Sequence, residues 1–281
     1  MTFSIVARDK ETGEFGIAVQ SKFISVGSVV PWIDLQGGAI ATQAMANLEY
    51  GRKGLKLLSA GLTAKQVLNV FLDIDPEHEH RQVGIVDLQG NAVTYTGKSC
   101  YNWAGGVTAD GVTAQGNILV SEDTVNAMLD TYLKTKGDLA ERLLSALEAG
   151  QKAGGDSRGQ QSANLLVHKK NGGYGGGSDV YIDVRVDDHP QATSELRRVF
   201  ELYSMTLLER EDPKEVTELT PTVYVEIGKK LRELGYLDND SFAEKEVKPA
   251  FTRWLHTENF ENKERQDNLV WNSVLNYLRN M

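Results

Sequence analysis

The chain opens on Thr2-Phe3-Ser4-Ile5-Val6-Ala7-Arg8, in which small or polar residues alternate with apolar ones. A short polar connection, residues 10–14, separates this stretch from a second alternating one, Phe15–Ser21. Alternation with a period of two on both sides of a turn predicts an antiparallel hairpin. One face of the first strand carries hydroxyl groups from Thr2 and Ser4, and one face of the second carries Gly16, Ala18 and Gln20. If these two faces lie side by side, they form the floor of a site.

Thr2 is the residue of the hairpin best suited to catalysis, because it follows Met1 directly. A small residue at this position is the kind that methionine aminopeptidase exposes. Thr2 would then carry a hydroxyl and a free α-amine, which together are a nucleophile and a base. Such an amine has a reference pKa of about 7.7–8.0, and an ammonium nearby at Lys22 would help to keep it neutral. The alternatives are a Met-Thr start with no catalytic meaning and a solvated Lys22.

The order of elements along the first 210 residues predicts an α+β fold. Further strands are predicted at 37–43, 82–88, 91–96, 112–119, 162–167 and 180–186, with helices in pairs between them and one at the end. Strict alternation of strand and helix is absent, which disfavours a parallel doubly wound sheet. We therefore predict a four-layer αββα sandwich, in which two antiparallel sheets stack and the helices lie outside, over residues 1–210.

The remaining residues, 215–281, predict a small three-helix C-terminal domain. A charged segment at 209–220 with Pro213 indicates a linker before it. Thr220-Pro221 has the residue types of an N-cap and a first helical position, and Ser241 with Glu244 has the spacing of a capping box. Amphipathic stripes follow both signals and precede the C-terminus.

Composition limits the classes of function. The net charge of the 281 residues is −9, and no basic run occurs, which argues against nucleic-acid partners. Neither a secretory signal nor an apolar stretch of membrane-spanning length is evident, so we expect a soluble cytoplasmic protein without a membrane partner. The single Cys100 excludes an intrachain disulfide and a multi-cysteine zinc site, and we expect it to be a small buried residue. No cofactor and no metal are predicted.

Polar residues at strand ends supply the candidate site. Thr42, Gln43 and Asn47 follow one strand, and Asn117 lies near the end of another. A fixed side-chain amide aimed at developing negative charge stabilises an oxyanion, which is the role expected of Asn47 or Gln43. The alternative is ordinary capping of the strand ends. In the predicted site, Thr2, Lys22, Asn47 and Asp156 are catalytic and the substrate contacts are Ser4, Ser21, Thr42, Gln43, Arg81, Asn117, Arg158, Gln161 and Ser162.

The segment Gly154–Ala163 is rich in glycine and polar groups and leads from a helix into an apolar strand. Asp156 and Arg158 are close enough in sequence for a buried ion pair or for substrate contacts. Gln161 and Ser162 have the groups needed to hydrogen-bond an N-terminal amine or an amide substrate. The alternative is a helix C-cap followed by a turn.

Two other motifs are weaker. The glycine-rich segment 172–177 leads into a strand rather than a helix, which favours a hairpin loop over a nucleotide site. Glu77-His78-Glu79-His80 has alternating imidazoles that suggest a metal site, but it follows Asp75-Pro76 in a segment typical of a solvated connection.

Several segments resemble the family catalogued as domain of unknown function 1028. The resemblance covers about residues 1–210 and lies in 2–9, 38–43, 81–87, 116–119, 153–163 and 185–190. Members are similar to N-terminal nucleophile hydrolases, which implies the αββα sandwich and cleavage of an amide by Thr2. The tail is similar to a peptidoglycan-binding helical module through Leu231–Tyr236 and Ala250–Trp254.

These patterns lead to one main expectation and two alternatives. The main expectation is an amidohydrolase that acts on a small cytoplasmic amide and passes through an acyl-enzyme at Thr2. The first alternative is a protein that binds a small ligand or a glycan on the same scaffold without turnover. The second is an assembly protein whose face with Trp254 and Trp271 serves oligomerisation. A homo-oligomer and a glycan or protein partner for the tail are compatible with each.

Overall fold

The structure, a computed structural model, describes residues 2–238 and 241–281. The strands are β1 (Thr2–Arg8), β2 (Phe15–Ser21), β3 (Pro31–Asp34), β4 (Gly38–Ala44), β5 (Arg81–Asp87), β6 (Ala92–Thr96), β7 (Gly105–Ala109), β8 (Val112–Asn117), β9 (Ser162–His168), β10 (Val180–Val186), β11 (Val216–Glu218) and β12 (Leu269–Trp271). The α-helices are α1 (Leu48–Ser59), α2 (Ala64–Ile74), α3 (Asp123–Lys134), α4 (Leu139–Lys152), α5 (Ala192–Leu207), α6 (Pro221–Glu233), α7 (Glu244–Thr257) and α8 (Asn272–Asn280).

The chain divides into two compact units, Met1–Arg198 and Val199–Met281. The division falls within α5, some residues before the predicted linker at 209–220. The assignment of the two domains to residues 1–210 and 215–281 stays a prediction.

The first unit has two antiparallel sheets, which confirms the predicted mixed α and β class. The larger sheet has the order β10-β9-β2-β1-β8-β7, so that β1 lies near its centre, and the smaller has the order β3-β4-β5-β6. The predicted hairpin of β1 and β2 is confirmed, with Phe3 opposite Gln20. Sequence analysis missed β3 and β7, because one is four residues long and begins with proline and the other begins with two glycines.

Helices pack against both sheets of the first unit. Helices α1 and α2 contact the four-stranded sheet, α3 and α4 contact the six-stranded sheet, and the sheets meet through β1 with β4 and β5 with β8. Beneath α1 and α2, Tyr50 stacks on Phe71 with ring centroids 4.1 Å apart. Thr63 and Gln66, whose spacing in the sequence is that of a capping box, form that box at the start of α2.

The predicted floor of the site is wrong in one respect. In the register of the hairpin, Ser4 lies opposite Val19, so the hydroxyl face of β1 lies beside Phe15, Ile17 and Val19. Gly16 is on the other face, where a Cβ would come within 2.4 Å of the Leu143 side chain of α4. The small residues of β2 therefore admit a helix rather than a substrate.

The second unit is mainly helical, with an antiparallel pair of short strands, β11 and β12. Thr220 accepts a hydrogen bond from the Val223 amide, as the predicted N-cap of α6 should. The predicted cap at Ser241 is wrong, because α7 begins after Ala243 without a side-chain capping bond. Trp254 is completely buried in this unit, so it forms core rather than the proposed assembly surface.

None of the helices in the described ranges is long and apolar enough to cross a membrane.

Candidate functional site

Thr2 begins β1 between the ends of two neighbouring strands. It lies opposite Asn117 of β8, and on its other side its hydroxyl oxygen is 3.1 Å from the hydroxyl oxygen of Ser21 at the end of β2. The Thr2 carbonyl accepts hydrogen bonds from Gln43 Nε2 at 3.3 Å and Asn117 Nδ2 at 3.4 Å. Thr2 is only 4% exposed, and these hydrogen bonds hold it at the ends of the neighbouring strands.

A chain of buried amides runs between the sheets behind Thr2. We call Ser4, Gln43, Gln82, Gln115 and Asn117 the amide network. Ser4 Oγ donates to Gln43 Oε1 and accepts from Gln115 Nε2, both at 2.7 Å. Gln82 Oε1 accepts from Gln43 Nε2 at 2.8 Å and from Asn117 Nδ2 at 2.9 Å. The five side chains are joined across both sheets, so they fix the position of β1 relative to β4 and β5.

The network places Gln82 at its centre. Gln82 Nε2 donates to the Gly116 carbonyl at 2.7 Å and to Thr96 Oγ1 at 2.8 Å. Gly84, two residues along β5, leaves the space for the amide of Gln115, since a Cβ there would be 2.2 Å from Gln115 Oε1. Sequence analysis missed Gln82 and Gln115. The available signal was a glutamine at an inward position of an otherwise apolar strand.

Backbone strain lies next to the two amides that hold Thr2. Ala44, which follows Gln43, has a φ of 69°, and Ile118, which follows Asn117, has a φ of 51°. Positive φ is unfavourable for residues other than glycine, and most of all for a β-branched residue such as isoleucine. Strain of this kind, of the order of 1–3 kcal/mol per residue, is concentrated at functional sites.

The segment 154–163 organises the same end of the six-stranded sheet. Asp156 Oδ2 accepts from the Lys22 backbone amide at 3.0 Å and from an Arg158 terminal nitrogen at 2.9 Å, and Oδ1 accepts from the Arg158 amide. The predicted ion pair of Asp156 and Arg158 is therefore present. The carboxylate is fully buried and bonded through both oxygens, which makes it a support for the surrounding loops.

Gln161 and Ser162 continue this support. The Gln161 amide donates to the Ser21 carbonyl at 3.0 Å, and its side-chain amide donates to Asp188 at 3.1 Å. Ser162 lies opposite Ser21 in the sheet and its hydroxyl bonds both the Phe23 carbonyl and the Val26 amide. Both residues hold the segment that follows Ser21.

The Lys22 ammonium is directed to the same loop. Its Nζ donates to the Gln160 carbonyl at 3.1 Å, and the side chain is exposed. This contact commits one donor of the ammonium to the loop, and the predicted effect of Lys22 on the Thr2 amine stays a prediction.

Thr42, Asn47 and Arg81 lie apart from Thr2, which corrects their predicted place in the site. Thr42 and Gln43 are neighbours in a strand, so their side chains point to opposite faces. Thr42 Oγ1 donates to the Asn47 carbonyl on the helical side of the sheet. The Asn47 side chain caps α1 by accepting from the Glu49 amide. Asn47 therefore caps a helix, whereas the alternative to its catalytic role was capping of the strand end.

Asp75 connects this second group. It accepts from Asn47 Nδ2 at 3.0 Å and from Arg81 Nε at 3.1 Å. Burial alone would raise the pKa of Asp75, but the hydrogen bonds from Asn47, Arg81 and the Glu77 amide outweigh it and lower the pKa to about 2. Arg81 also donates to the Met45 carbonyl at 2.6 Å, so the ion pair holds the strained end of β4.

The other candidate nucleophile and the metal-like motif have structural contacts. The Cys100 thiol is buried and donates to the Arg81 carbonyl, and burial raises its pKa, which disfavours a thiolate. His78 Nδ1 is 2.8 Å from the Tyr95 hydroxyl, and the Glu79 carboxylate accepts from the Lys98 amide. Within 2–238 and 241–281, no group of three His, Cys, Asp or Glu residues is placed to hold a metal ion. Met1 and its predicted removal lie outside the described residues.

Comparison with known proteins identifies the family of the chain. The model of the family of unknown function DUF1028 matches residues 2–196. The chain belongs to the DUF1028 family. A model described as "Putative peptidoglycan binding domain" matches residues 206–278. No curated protein matches the chain.

A solved structure of a DUF1028 protein is similar to this member. The crystal structure of protein SPO2555 from Silicibacter pomeroyi, described as DUF1028, is 28% identical in sequence. The superposition has a TM-score of 0.66 and covers 74% of this chain and 96% of that one.

Proposed function

We propose that this DUF1028 protein is an amidohydrolase whose nucleophile is Thr2 after removal of Met1. The observation that carries the proposal is the Thr2 hydroxyl, held 3.1 Å from the Ser21 hydroxyl at the start of a central strand. The side-chain amides of Gln43 and Asn117 donate hydrogen bonds to the Thr2 carbonyl, so the side chain of Thr2 is not part of the amide network. A nucleophile needs positioning of this kind, with the Thr2 backbone fixed and its hydroxyl held beside the Ser21 hydroxyl.

We propose further that the first unit is the four-layer αββα sandwich of N-terminal nucleophile hydrolases. The support is the packing of α1 and α2 on one sheet, α3 and α4 on the other, and the contacts of β1 with β4 between the sheets. In this arrangement the amide network lies between the two sheets and ends at Thr2.

The proposed reaction has two steps. Thr2 Oγ bonds to the carbonyl carbon of the substrate while its proton passes to the neutral α-amine of Thr2. The C–N bond then breaks, the leaving amine takes this proton, and an ester remains on Thr2. Water attacks the ester carbonyl carbon while the α-amine again accepts a proton. The bond between the acyl carbon and Thr2 Oγ then breaks, that proton passes to Oγ, and the carboxylic acid leaves. We assign to Ser21 the donation of a hydrogen bond to the oxyanion, since its hydroxyl is next to the attacking oxygen.

Mass spectrometry tests the proposal directly. Protein purified from cells is incubated with an acylating electrophile, and the mass of the intact chain and of its first peptide is measured. We expect loss of Met1 and one adduct at Thr2, absent in Thr2→Ala and retained in Cys100→Ala, which controls for thiol labelling. A native chain that keeps Met1, or an adduct that persists in Thr2→Ala, would refute the assignment.

We propose that the second unit binds a glycan. The support is the similarity of residues 206–278 to a peptidoglycan-binding domain and a cavity of about 490 Å³ between α6 and α8, lined by Val225, Glu226, Lys229 and Arg279 among others. Co-sedimentation with insoluble peptidoglycan tests this. The full chain should sediment and a Val225→Glu, Lys229→Glu variant should remain in solution; equal sedimentation of both would contradict the proposal.

A further inference from the structure

Large apolar side chains are exposed around the strand ends that hold Thr2. Phe23, Ile24, Met45, Tyr101 and Val120 form what we call the apolar rim, with exposed fractions from 49% at Phe23 to 74% at Tyr101. Phe23 and Ile24 follow the end of β2, Met45 follows β4, and Val120 follows β8. Tyr101 adjoins the same end, because its carbonyl accepts from the Ile118 amide at 3.0 Å. Exposed apolar side chains gathered at the strand ends around Thr2 indicate a binding site.

The backbone beneath the apolar rim is fixed by hydrogen bonds. The Phe23 carbonyl accepts from Ser162, and the Met45 carbonyl accepts from Arg81. The Val120 amide donates to the Gly155 carbonyl at 3.1 Å. A ligand that covers these side chains does not need to order their backbone first, which favours binding.

A cation lies beside the apolar rim. Lys22 immediately precedes Phe23, its backbone amide is held by Asp156, and its Nζ donates to a carbonyl. Among the residues that the structure describes, no carboxylate oxygen lies within 4.0 Å of the Lys22 ammonium nitrogen to form an ion pair. In a chain of net charge −9, an exposed lysine without an acidic partner next to an apolar surface favours an anionic ligand.

We propose that the Thr2 site takes N-acyl amino acids, in which an apolar acyl chain lies on the apolar rim and the carboxylate pairs with Lys22. This inference rests on the proposed function and deepens it by naming the substrate class. A second copy of the chain fits the surface less well, because a symmetric pairing centred on the apolar rim would bring two Lys22 ammonium groups together.

Binding and turnover are measured separately to test the inference. N-acetyl-, N-octanoyl- and N-dodecanoylglycine, and the neutral N-dodecanoylethanolamine, are titrated below their micellar concentrations into the Thr2→Ala variant by calorimetry. Burial of a methylene contributes about 0.8 kcal/mol, or roughly fourfold in affinity, so we expect at least a 30-fold gain from acetyl to octanoyl. The neutral head group should bind about tenfold more weakly than the carboxylate.

Variants locate the effect. Met45→Gln with Val120→Gln should reduce the gain with chain length severalfold, and Lys22→Gln should abolish the preference for the carboxylate. Leu133→Gln is the matched control, since Leu133 is 53% exposed on α3 and should behave as the parent. Affinities that do not depend on chain length or head group would overturn the inference. So would sedimentation experiments in which a second copy of the chain covers the apolar rim.

The two proposals fail in different ways. If N-acetylglycine is hydrolysed as well as the long-chain amides, the proposed function stands and the assignment of a long acyl chain to the apolar rim is wrong. If the long-chain amides bind selectively but the unaltered chain never hydrolyses them, the binding site stands and the catalytic proposal is wrong.

Discussion

Replacement of Gln82 by methionine tests whether the amide network determines the stability of the first unit. Methionine has nearly the same length but no amide, so four hydrogen bonds of 2.7–2.9 Å are lost, to Gln43, Asn117, Gly116 and Thr96. A buried hydrogen bond contributes about 1 kcal/mol net, and a partner left unsatisfied costs about 1–3 kcal/mol. We expect Gln82→Met to lower the free energy of unfolding by about 3–5 kcal/mol, a large part of the 5–15 kcal/mol that is typical of a domain.

Hydrogen exchange is the suitable assay because the two units need not unfold together. Native-state exchange, followed by mass spectrometry of peptides from β1, β4, β5 and β8, reports the opening free energy of the first unit within the full chain. The matched control is Gln36→Met. Gln36 is exposed in the turn between β3 and β4, and its replacement should change the opening free energy by less than about 0.5 kcal/mol.

The same experiment can refute the reasoning. A loss below about 1 kcal/mol in Gln82→Met would mean that the partners of Gln82 find other hydrogen bonds or that water enters between the sheets. The amide network would then be a consequence of the packing, and its proposed role in fixing β1 and Thr2 would fall.

Three further predictions concern single groups. The pKa of Asp75 falls from 3.8 to about 2 on folding, so its ionised form contributes about 2 kcal/mol to the free energy of unfolding above pH 4. This contribution is lost as the pH falls toward 2. Urea unfolding of Asp75→Asn, measured over the same pH range, should lack this dependence. Ser21→Ala should lower kcat by about 100-fold with KM nearly unchanged, whereas equal activity in steady-state assays would exclude an oxyanion role. Lys263 is buried in an ion pair with Glu211 at 2.7 Å. Lys263→Ala should lower the opening free energy of the second unit by about 3–5 kcal/mol, measured by hydrogen exchange, and Lys229→Ala, at an exposed position, is the control.

Much of the architecture could be predicted from local patterns. The alternation in Thr2–Arg8 and Phe15–Ser21 is strong because both strands have a buried face to satisfy, and the predicted pairing is present. The capping box of Thr63 and Gln66 can be recognised in the sequence because both residues lie within one helical turn. Strands β3 and β7 could not be predicted, since these short segments with proline or glycine lie at sheet edges and owe their strand conformation to pairing with the strand that follows each of them.

The candidate site could be predicted only in part, because the prediction did not consider to which face of the sheet each strand-end side chain points. Residues at strand ends were grouped because they follow strands, but Thr42 and Gln43 point to opposite sides of the same sheet. Gln43 therefore reaches Thr2, whereas Thr42 reaches α1. The period-two rule, applied to each strand end, would have separated them and would have pointed to Gln82, which lies opposite Gln43 across β4 and β5.

The amide network and the strain beside it have one explanation in common. Buried amides give little net stability compared with an apolar core, and the left-handed Ala44 and Ile118 cost free energy, so stability alone does not account for either. A hydrogen-bonded network does specify one alignment of two sheets, which apolar side chains alone would allow to slide. Both features converge on the carbonyl of Thr2, through Gln43 and Asn117. We therefore propose that this free energy is spent on fixing the backbone of Thr2, as the proposed nucleophile requires.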